Sequence, residues 1–351
     1  MFSLPWKRKQ PPTGLDCGQA WIKVVGFRRS RQGITLERVG RMPWKGQARE
    51  DSQNMAMSLK ALYSGLQLNA HSVTCSLAGH AVIIKRLNIS SQQAAELPNS
   101  LSTLALEHIP FDLQDVCLDY QVLDLEKGVD TNTVLLVASK KKKVHEMQWI
   151  MSQAGLEISV VDVDGFALCN CFEFNYPESR SAPVALLDIG ANQSTFCVVA
   201  DHQPLFIRDA GFGGQQITER LAHALELPGM QAETIKWQDP EALPSALKAG
   251  VEQVMHSMFI SWSEEIQRLL HYYSNSLPVA VPQPQTLYLS GGGSLHPGLS
   301  AVLSEQLEFE NTFLDPWRRC QIDDSQFDLG YLRCFGPQYA VAAGLALRGV
   351  S

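Results

Sequence analysis

The sequence predicts an α/β protein of two lobes with a nucleotide cleft between them. Three glycine-bearing turns support this, and they are Gly14-Leu15-Asp16-Cys17-Gly18, Leu187-Asp188-Ile189-Gly190-Ala191-Asn192 and Ser290-Gly291-Gly292-Gly293. Each turn follows or interrupts an apolar stretch typical of a buried strand, and such turns bring backbone N–H groups close to phosphate oxygens. Aspartates at two facing turns can also hold Mg²⁺ through water between them.

Composition restricts the classes of function. The length of 351 residues corresponds to roughly two domains. A net charge of −7 argues against nucleic acid as the main partner. No run approaches the roughly 18 apolar residues of a membrane-spanning helix. Pro5 and Lys7-Arg8-Lys9 interrupt the apolar core that a secretory signal would need, so we expect a cytoplasmic protein.

The first lobe is predicted over residues 1–88. Residues 1–12 are basic and end in prolines, which favours a disordered tail over a segment that touches an anionic membrane. The periodicity then predicts strands at 14–17, 21–27, 34–39, 72–77 and 81–85, and a helix at 52–66.

An inserted subdomain is predicted over residues 89–155. It reads as a helix at 92–108, strands at 116–125 and 133–139, and a helix at 140–155 that ends at a glycine. The lysine run at 140–143 lies on the polar side of a helix start, which favours a solvated face over a nucleic-acid site. The chain then returns to the first lobe over 156–182.

The second lobe is predicted over residues 183–338. It begins with a strand at 184–188 and a hairpin, and a helical subdomain follows at about 226–284. A strand at 287–289 precedes the third turn, and an apolar helix within 339–351 is assigned to the first lobe. Because both halves carry a glycine–aspartate turn, we expect a distant internal duplication.

The Asp16 and Asp188 turns resemble the two phosphate loops of the actin-like ATPase superfamily, and residues 289–293 resemble its adenosine motif. Within it the sequence is most similar to the PilM family of type IV pilus assembly, relatives of the cell-division protein FtsA. Four stretches carry this resemblance, at residues 14–23, 109–123, 211–218 and 344–348. It implies a two-lobed actin-like ATPase fold with an inserted FtsA/PilM-type subdomain.

The resemblance implies ATP and Mg²⁺ as ligands. Magnesium would lie between Asp16 and Asp188 through water, and the nucleotide would contact Asp16, Gly18, Lys23, Asp188, Gly190, Asn192, Thr195, Gly213, Gly214, Gly291, Gly292 and Gly293. Family members usually carry serine or threonine after the first turn, where this chain has Gln19, Ala20 and Trp21. We therefore expect ATP binding with weak or absent hydrolysis. Asp162, Asp164 and Glu219 are candidates to orient water, but no spacing distinguishes one of them.

The resemblance also implies a partner and a place in the cell. A PilM-like protein would be a cytoplasmic scaffold at the inner face of the bacterial inner membrane, reaching the membrane through its partners. It would capture the N-terminal cytoplasmic peptide of a PilN-like protein and contact other proteins of the pilus platform. The peptide groove would lie near residues 109–122 and 82–87, although Ile109-Pro110-Phe111 fits a core-facing turn equally well.

Several alternatives stay open at this point. Asp188 could cap a plain β-hairpin, and residues 291–293 could form a tight strand–helix connection. A small-molecule kinase of the same superfamily, or a degenerate pilus scaffold without nucleotide, would share the three turns. A division-type filament protein would need a C-terminal amphipathic helix, and the ending Arg348-Gly349-Val350-Ser351 counts against it.

Overall fold

The computed structural model describes residues 11–44, 51–68, 71–123, 131–179, 182–201, 203–276, 282–307 and 309–350. Most of the predicted tail at 1–12 lies outside these residues. The first half of the chain forms β1 (Thr13–Cys17), β2 (Trp21–Ser30), β3 (Gly33–Pro43), α1 (Asp51–Gly65), β4 (Ser72–Leu77), β5 (Val82–Ser90), α2 (Ser91–His108), β6 (Val116–Leu123), β7 (Thr131–Lys140), α3 (Lys141–Ala154), β8 (Glu157–Val163) and α4 (Asp164–Asn175).

The second half forms β9 (Val184–Ile189), β10 (Ser194–Ala200), β11 (Gln203–Ala210), α5 (Gly214–Ala224), α6 (Gly229–Ile235), α7 (Ser245–Ser276), β12 (Thr286–Ser290), α8 (Leu299–Gln306), β13 (Glu310–Phe313), α9 (Leu329–Phe335) and α10 (Ala340–Leu347). In the described part of the chain, no helix combines the length and the apolar character needed to cross a membrane.

Two five-stranded sheets repeat one organisation. Their strand orders are β3-β2-β1-β4-β8 and β11-β10-β9-β12-β13. In each sheet three consecutive strands pair antiparallel, and the first of them then pairs in parallel with a later strand. Parallel strands end at the same edge of a sheet, so each lobe gathers its strand ends and following turns at one edge.

A third sheet has the order β5-β7-β6, with both outer strands antiparallel to β7. Helix α2 covers it by burying Leu97 and Ala105 against the sheet residues Val134 and Leu136. The predicted boundary at residue 89 would divide β5, yet the whole of β5 hydrogen-bonds to β7. Residues 82–88 therefore belong to this sheet, because their pairing partner lies in the insertion. Elsewhere the division into domains stays a prediction.

The final helix α10 is buried along its full length between α4 and strands β1 and β2. Two glycines permit this approach. A Cβ on Gly344 would overlap the carbonyl oxygen of Ala167 in α4, and a Cβ on Gly14 would overlap the carbonyl oxygen of Ala342. Since the obstructing atoms belong to backbone, they cannot rotate away as a side chain could.

Candidate functional site

The three glycine-bearing turns meet at one place. Strand β12 pairs in parallel with β9, and this register places Ser290 beside Asp188. The Ser290 hydroxyl donates a hydrogen bond of 3.0 Å to Asp188 Oδ1. Gly291 and Gly293 both lie against Ile189, where a Cβ on either would overlap its atoms. The third turn is thus packed directly on the second.

Lys23 carries a positive charge that interacts with the aspartates of both the first and the second turn. The antiparallel pairing of β1 and β2 sets it opposite Asp16, and its ammonium group forms an ion pair with that carboxylate. Burial lowers the pKa of Lys23, but the charges of Asp16 and Asp188 outweigh it, so the pKa is raised overall. Lys23 is therefore a permanent cation between the two predicted phosphate loops.

Two further carboxylates lie in the same cleft: Asp164, which is one of the three candidates to orient water, and Asp209, which the sequence analysis did not assign to the site. Asp164 begins α4 and accepts a 2.5 Å hydrogen bond from the Ser76 hydroxyl at the end of β4. Asp209 accepts one of 3.2 Å from the Thr195 hydroxyl, and its carboxylate lies where a Cβ on Gly79 would be. The signal for Asp164 is its position at the carboxyl end of β8, which is informative only once the strand order is known.

Burial, together with neighbouring negative charge, raises the pKa of two of these groups. Burial raises the pKa of Asp164 to about 8, with further increases from Asp16, Asp188 and Asp209, whereas the bond from Ser76 lowers it. Burial also raises the pKa of Asp188 to about 6, and Lys23 opposes that rise. A divalent cation bound here would relieve the repulsion among these carboxylates.

We expect the protein without metal or nucleotide to lose stability as pH rises from 6 to 8. The folded state holds the Asp164 proton more tightly than the unfolded chain does, so its contribution to stability disappears as pH approaches the folded pKa of about 8. Because Asp164 keeps some contact with solvent, we expect a loss of only about 1 kcal/mol. Thermal unfolding in EDTA measures it.

The matched variants for this pH dependence are Asp164→Asn and Asp324→Asn, the second at an exposed position. Asp164→Asn should flatten the decrease in melting temperature between pH 6 and 8, whereas Asp324→Asn should leave it unchanged. An equal slope in wild type and Asp164→Asn would contradict the assignment.

Helix α5 anchors the second turn at its amino end. The backbone N–H of Gly214 donates to the Gly190 carbonyl at 3.0 Å, and that of Gln215 donates to the Ala191 carbonyl at 2.7 Å. Gly213 is required here, because a Cβ on it would lie 2.5 Å from the Ala191 carbonyl oxygen. These two N–H groups therefore stabilise the second turn by hydrogen bonding to its carbonyl groups. A contact between the nucleotide and Gly214 stays a prediction. Asn192 is exposed nearby.

Lys236 is a buried cation on the other side of α5. Its ammonium group lies 2.6 Å from Glu233 Oε2 and donates to the Thr218 hydroxyl at 2.8 Å and the Gly214 carbonyl at 3.1 Å. Lysine is almost never fully buried without such partners. The sequence analysis missed this ion pair. It could have been recognised from the spacing, because a glutamate and a lysine three residues apart on a short helix can contact each other.

The neighbouring His296 is buried and stacks on Trp237 with ring centroids 4.1 Å apart. Burial, and then the charge of Lys236, lower the pKa of His296 to about 3, so its imidazole is neutral. Gly292 faces open space, since the atom closest to a Cβ there would be Gln338 Cδ at 3.9 Å. The third turn thus has one glycine open to a ligand between two that are packed on Ile189.

The bulky ring at position 21 is held by stacking. The Arg41 guanidinium lies 4.5 Å from the ring centroids of both Trp21 and Phe335, and it donates to Gln338 Oε1 at 2.5 Å. Gly18 keeps the turn narrow, because a Cβ there would lie 2.8 Å from the Trp21 carbonyl oxygen. Trp21 stands where family members usually carry a hydroxyl residue, and it therefore contributes to the contact between β3 and the segment before α10.

The arrangement fits magnesium and a nucleotide. Asp16 and Asp188 supply carboxylate oxygens and Lys23 supplies the cation, while Gly292 keeps the backbone of the third turn accessible. Within the described ranges, no three histidine, cysteine or acidic side chains are arranged to hold a metal alone. That suits Mg²⁺, which usually keeps several waters and binds through one or two carboxylates and the phosphates.

Comparison with known proteins gives one family and one fold. Residues 14–350 match the family described as type IV pilus assembly protein PilM. The solved PilM-PilN type IV pilus biogenesis complex contains a chain with 25% identity and a TM-score of 0.86, and the match covers 98% of this chain and 100% of that one.

Two more distant structures are informative about the fold alone. The ethanolamine utilization protein EutJ from Carboxydothermus hydrogenoformans is 15% identical, with a TM-score of 0.55 over 97% of this chain and 91% of that one. MreB5 of Spiroplasma citri bound to AMPPNP is 10% identical, with a TM-score of 0.54 over 97% and 96%. These similarities confirm the predicted actin-like ATPase fold.

Proposed function

Since the chain belongs to the PilM family of type IV pilus assembly proteins, we propose that it is a nucleotide-binding scaffold which captures the N-terminal cytoplasmic peptide of a PilN-like membrane protein. The main support for this proposal is the structural similarity to a chain of the PilM-PilN complex, which has a TM-score of 0.86 and extends over nearly the whole of both chains. A role as a small-molecule kinase is not favoured by that likeness. We place the protein on the cytoplasmic face of the inner membrane, held there by its partners.

The third sheet offers a surface on which an extended peptide can dock. Strands β5 and β6 each pair only with β7 among the described strands, so each leaves backbone donors and acceptors along one edge. Phe111 is 38% exposed and Val122 is 37% exposed, whereas Ile109 is buried. Within the predicted segment, Ile109 therefore packs in the core. Phe111 and Val122 are its exposed large apolar side chains, and a partner could contact them.

Phe111 is also held in place on this surface. The Lys140 ammonium group lies 4.3 Å from its ring centroid. Lys141 donates a hydrogen bond of 2.7 Å to the Gln114 carbonyl, which fixes the turn between α2 and β6. A ring that is positioned before binding loses little side-chain entropy when a peptide covers it. These contacts support residues 109–122 as one wall of the peptide site.

Calorimetry with the synthetic N-terminal peptide of the PilN-like protein from the same organism tests this proposal. We expect the double variant Phe111→Ala/Val122→Asp to bind the peptide about tenfold more weakly, because it removes apolar area from the wall and adds a charge. Met230→Ala, at a residue 79% exposed in the second lobe, is the matched control and should bind as wild type does. No binding to wild type, with and without Mg-ATP, would refute the proposal.

The nucleotide would act by holding the two lobes together. Bound Mg-ATP supplies a phosphate chain and a cation that residues of both lobes contact. Lys23 would face the phosphates, while Asp16 and Asp188 would accept hydrogen bonds from the water shell of Mg²⁺. ATP can bias partner binding only by its difference in affinity for the open and closed arrangements.

Slow hydrolysis is part of this proposal. Asp164 is the cleft carboxyl at the start of α4, and we assign to it the orientation of water. Support for slow hydrolysis comes from the first turn, where Gln19, Ala20 and Trp21 stand in place of hydroxyl residues that could donate hydrogen bonds to phosphate. The scaffold would therefore keep ATP bound rather than hydrolyse it. Other proteins of the pilus platform would bind the closed form of the scaffold.

A further inference from the structure

A large cavity lies at the other end of α4 from the predicted nucleotide cleft. It has a volume of about 650 Å³, which is in the range of small-molecule and peptide pockets. The turn between β2 and β3, the second half of α4, the end of α10 and Arg319 line it. We call it the arginine pocket, and define it by Arg29, Ile34, Asn170, Glu173, Arg319 and Arg348.

Two of its guanidinium groups are positioned without a carboxylate. Arg29 donates to the Val350 carbonyl at 2.9 Å, and Arg319 donates to the Phe174 carbonyl at 3.3 Å. Within the described ranges neither arginine forms an ion pair, whereas Arg348 is paired with Asp162. Backbone carbonyls thus orient two cations toward one concavity in a protein whose net charge is −7.

The remaining polar groups of the pocket also suit an anionic ligand. The side-chain nitrogen of Asn170 is buried and has no hydrogen-bond partner among the described residues, which is costly unless a ligand or water supplies an acceptor. Of the described residues in the lining, Glu173 is the one that is acidic. Burial raises its pKa to about 7, although Arg348 opposes the rise, so it opposes an anion only partly at neutral pH.

We propose that the arginine pocket binds an acidic segment of a partner protein, with carboxylates on Arg29 and Arg319 and a carbonyl accepting from Asn170. The planar guanidinium fork matches a carboxylate in two parallel hydrogen bonds. The cavity is larger than a single ion needs, and apolar lining from Ile34 and Phe174 suits the side chains between two acidic residues.

This pocket spans the junction of the two lobes. Arg319 belongs to the segment after β13, and the neighbouring Gln321 exchanges backbone hydrogen bonds with Ile34 and Leu36 of β3 at 2.8 and 2.9 Å. An occupant would therefore contact both lobes, at a surface separate from the peptide wall at residues 109–122. The inference goes beyond the proposed function and does not depend on it.

Fluorescence anisotropy with the full-length protein tests the proposal. The probe is a short labelled peptide that alternates aspartate with leucine, and an otherwise identical peptide with lysine for aspartate is its control. We expect wild type to bind the acidic peptide and not the lysine peptide. The double variant Arg29→Glu/Arg319→Glu should weaken binding about tenfold or more, because both carboxylate contacts become repulsive.

The matched control is Arg220→Glu, an exposed arginine on α5 outside the pocket, which should change the affinity less than about twofold. Melting temperatures establish that each variant is folded. An equal loss in Arg220→Glu, or no acidic-peptide binding to wild type, overturns the proposal. So does displacement of the peptide by equimolar inorganic phosphate at constant ionic strength, or binding of anionic phosphatidylglycerol vesicles that depends on the same two arginines.

Discussion

Replacing Gly344 with alanine should lower the free energy of unfolding by roughly 3 kcal/mol or more, and replacing it with valine should leave little folded protein. The added methyl group would overlap the carbonyl oxygen of Ala167, which belongs to the backbone of α4. Relief requires α10 and α4 to move apart, and α10 also packs on β1 through Gly14. Urea and thermal unfolding measure the loss.

Gly65→Ala is the matched control for this prediction. Gly65 closes α1, and a Cβ on it would meet no atom within 4 Å. We expect a change within about 0.5 kcal/mol there, because neither crowding nor a required left-handed conformation opposes the methyl group. If Gly344→Ala melted at the same temperature as wild type, the close packing of α10 on α4 would be wrong.

Replacing Lys23 with methionine should weaken the binding of Mg-ATP about 100-fold, the second large effect. The substitution keeps the length of the side chain but removes the cation that lies between Asp16 and Asp188. The phosphates would then meet carboxylates without this opposing charge. Calorimetric titration with Mg-ATP, compared with wild type, measures the change in affinity.

Lys23→Met should also reduce the stability of the nucleotide-free protein, since it leaves the buried Asp16 carboxylate without its partner. Urea unfolding without nucleotide measures this loss of stability separately from the loss of affinity for Mg-ATP. Lys248→Met, at an ion pair with Glu241 in the second lobe, controls for loss of a lysine. Unchanged affinity in Lys23→Met would exclude the assigned phosphate site.

The features that could be predicted from the sequence depend on residues close together in the chain. The Asp16 and Asp188 turns and residues 291–293 each combine a strand-like run with glycine, and each can be recognised in isolation. The fold expected from these turns is confirmed, and so is the family, which was expected from the resemblance of residues 14–23, 109–123, 211–218 and 344–348. The expectation that the turns meet agrees with the hydrogen bond from Ser290 to Asp188 and with the Coulomb interaction of Lys23 with Asp188.

The positions that sequence alone left undecided depend on strand pairing. Asp164 and Asp209 join the cleft because the order of strands sets the ends of β8 and β11 beside the two turns. Arg41 lies over Trp21 because β3 pairs with β2, and it reaches Gln338 some 297 positions away in the chain. The sequence predicts β5 in the first lobe, whereas the structure pairs it along its whole length with β7.

By itself, the chain's sequence determined the α/β class and the three turns, because glycine, aspartate and strand periodicity act over a few residues. It indicated the family through the resemblance of four stretches to known members. Only the tertiary structure decided which groups share the cleft, how far their pKa values move, and which arginines gather at the far end of α4. Burial and Coulomb interactions depend on distances through space. Folding brings together residues that lie far apart along the chain, and their sequence separation does not reveal that they will be neighbours.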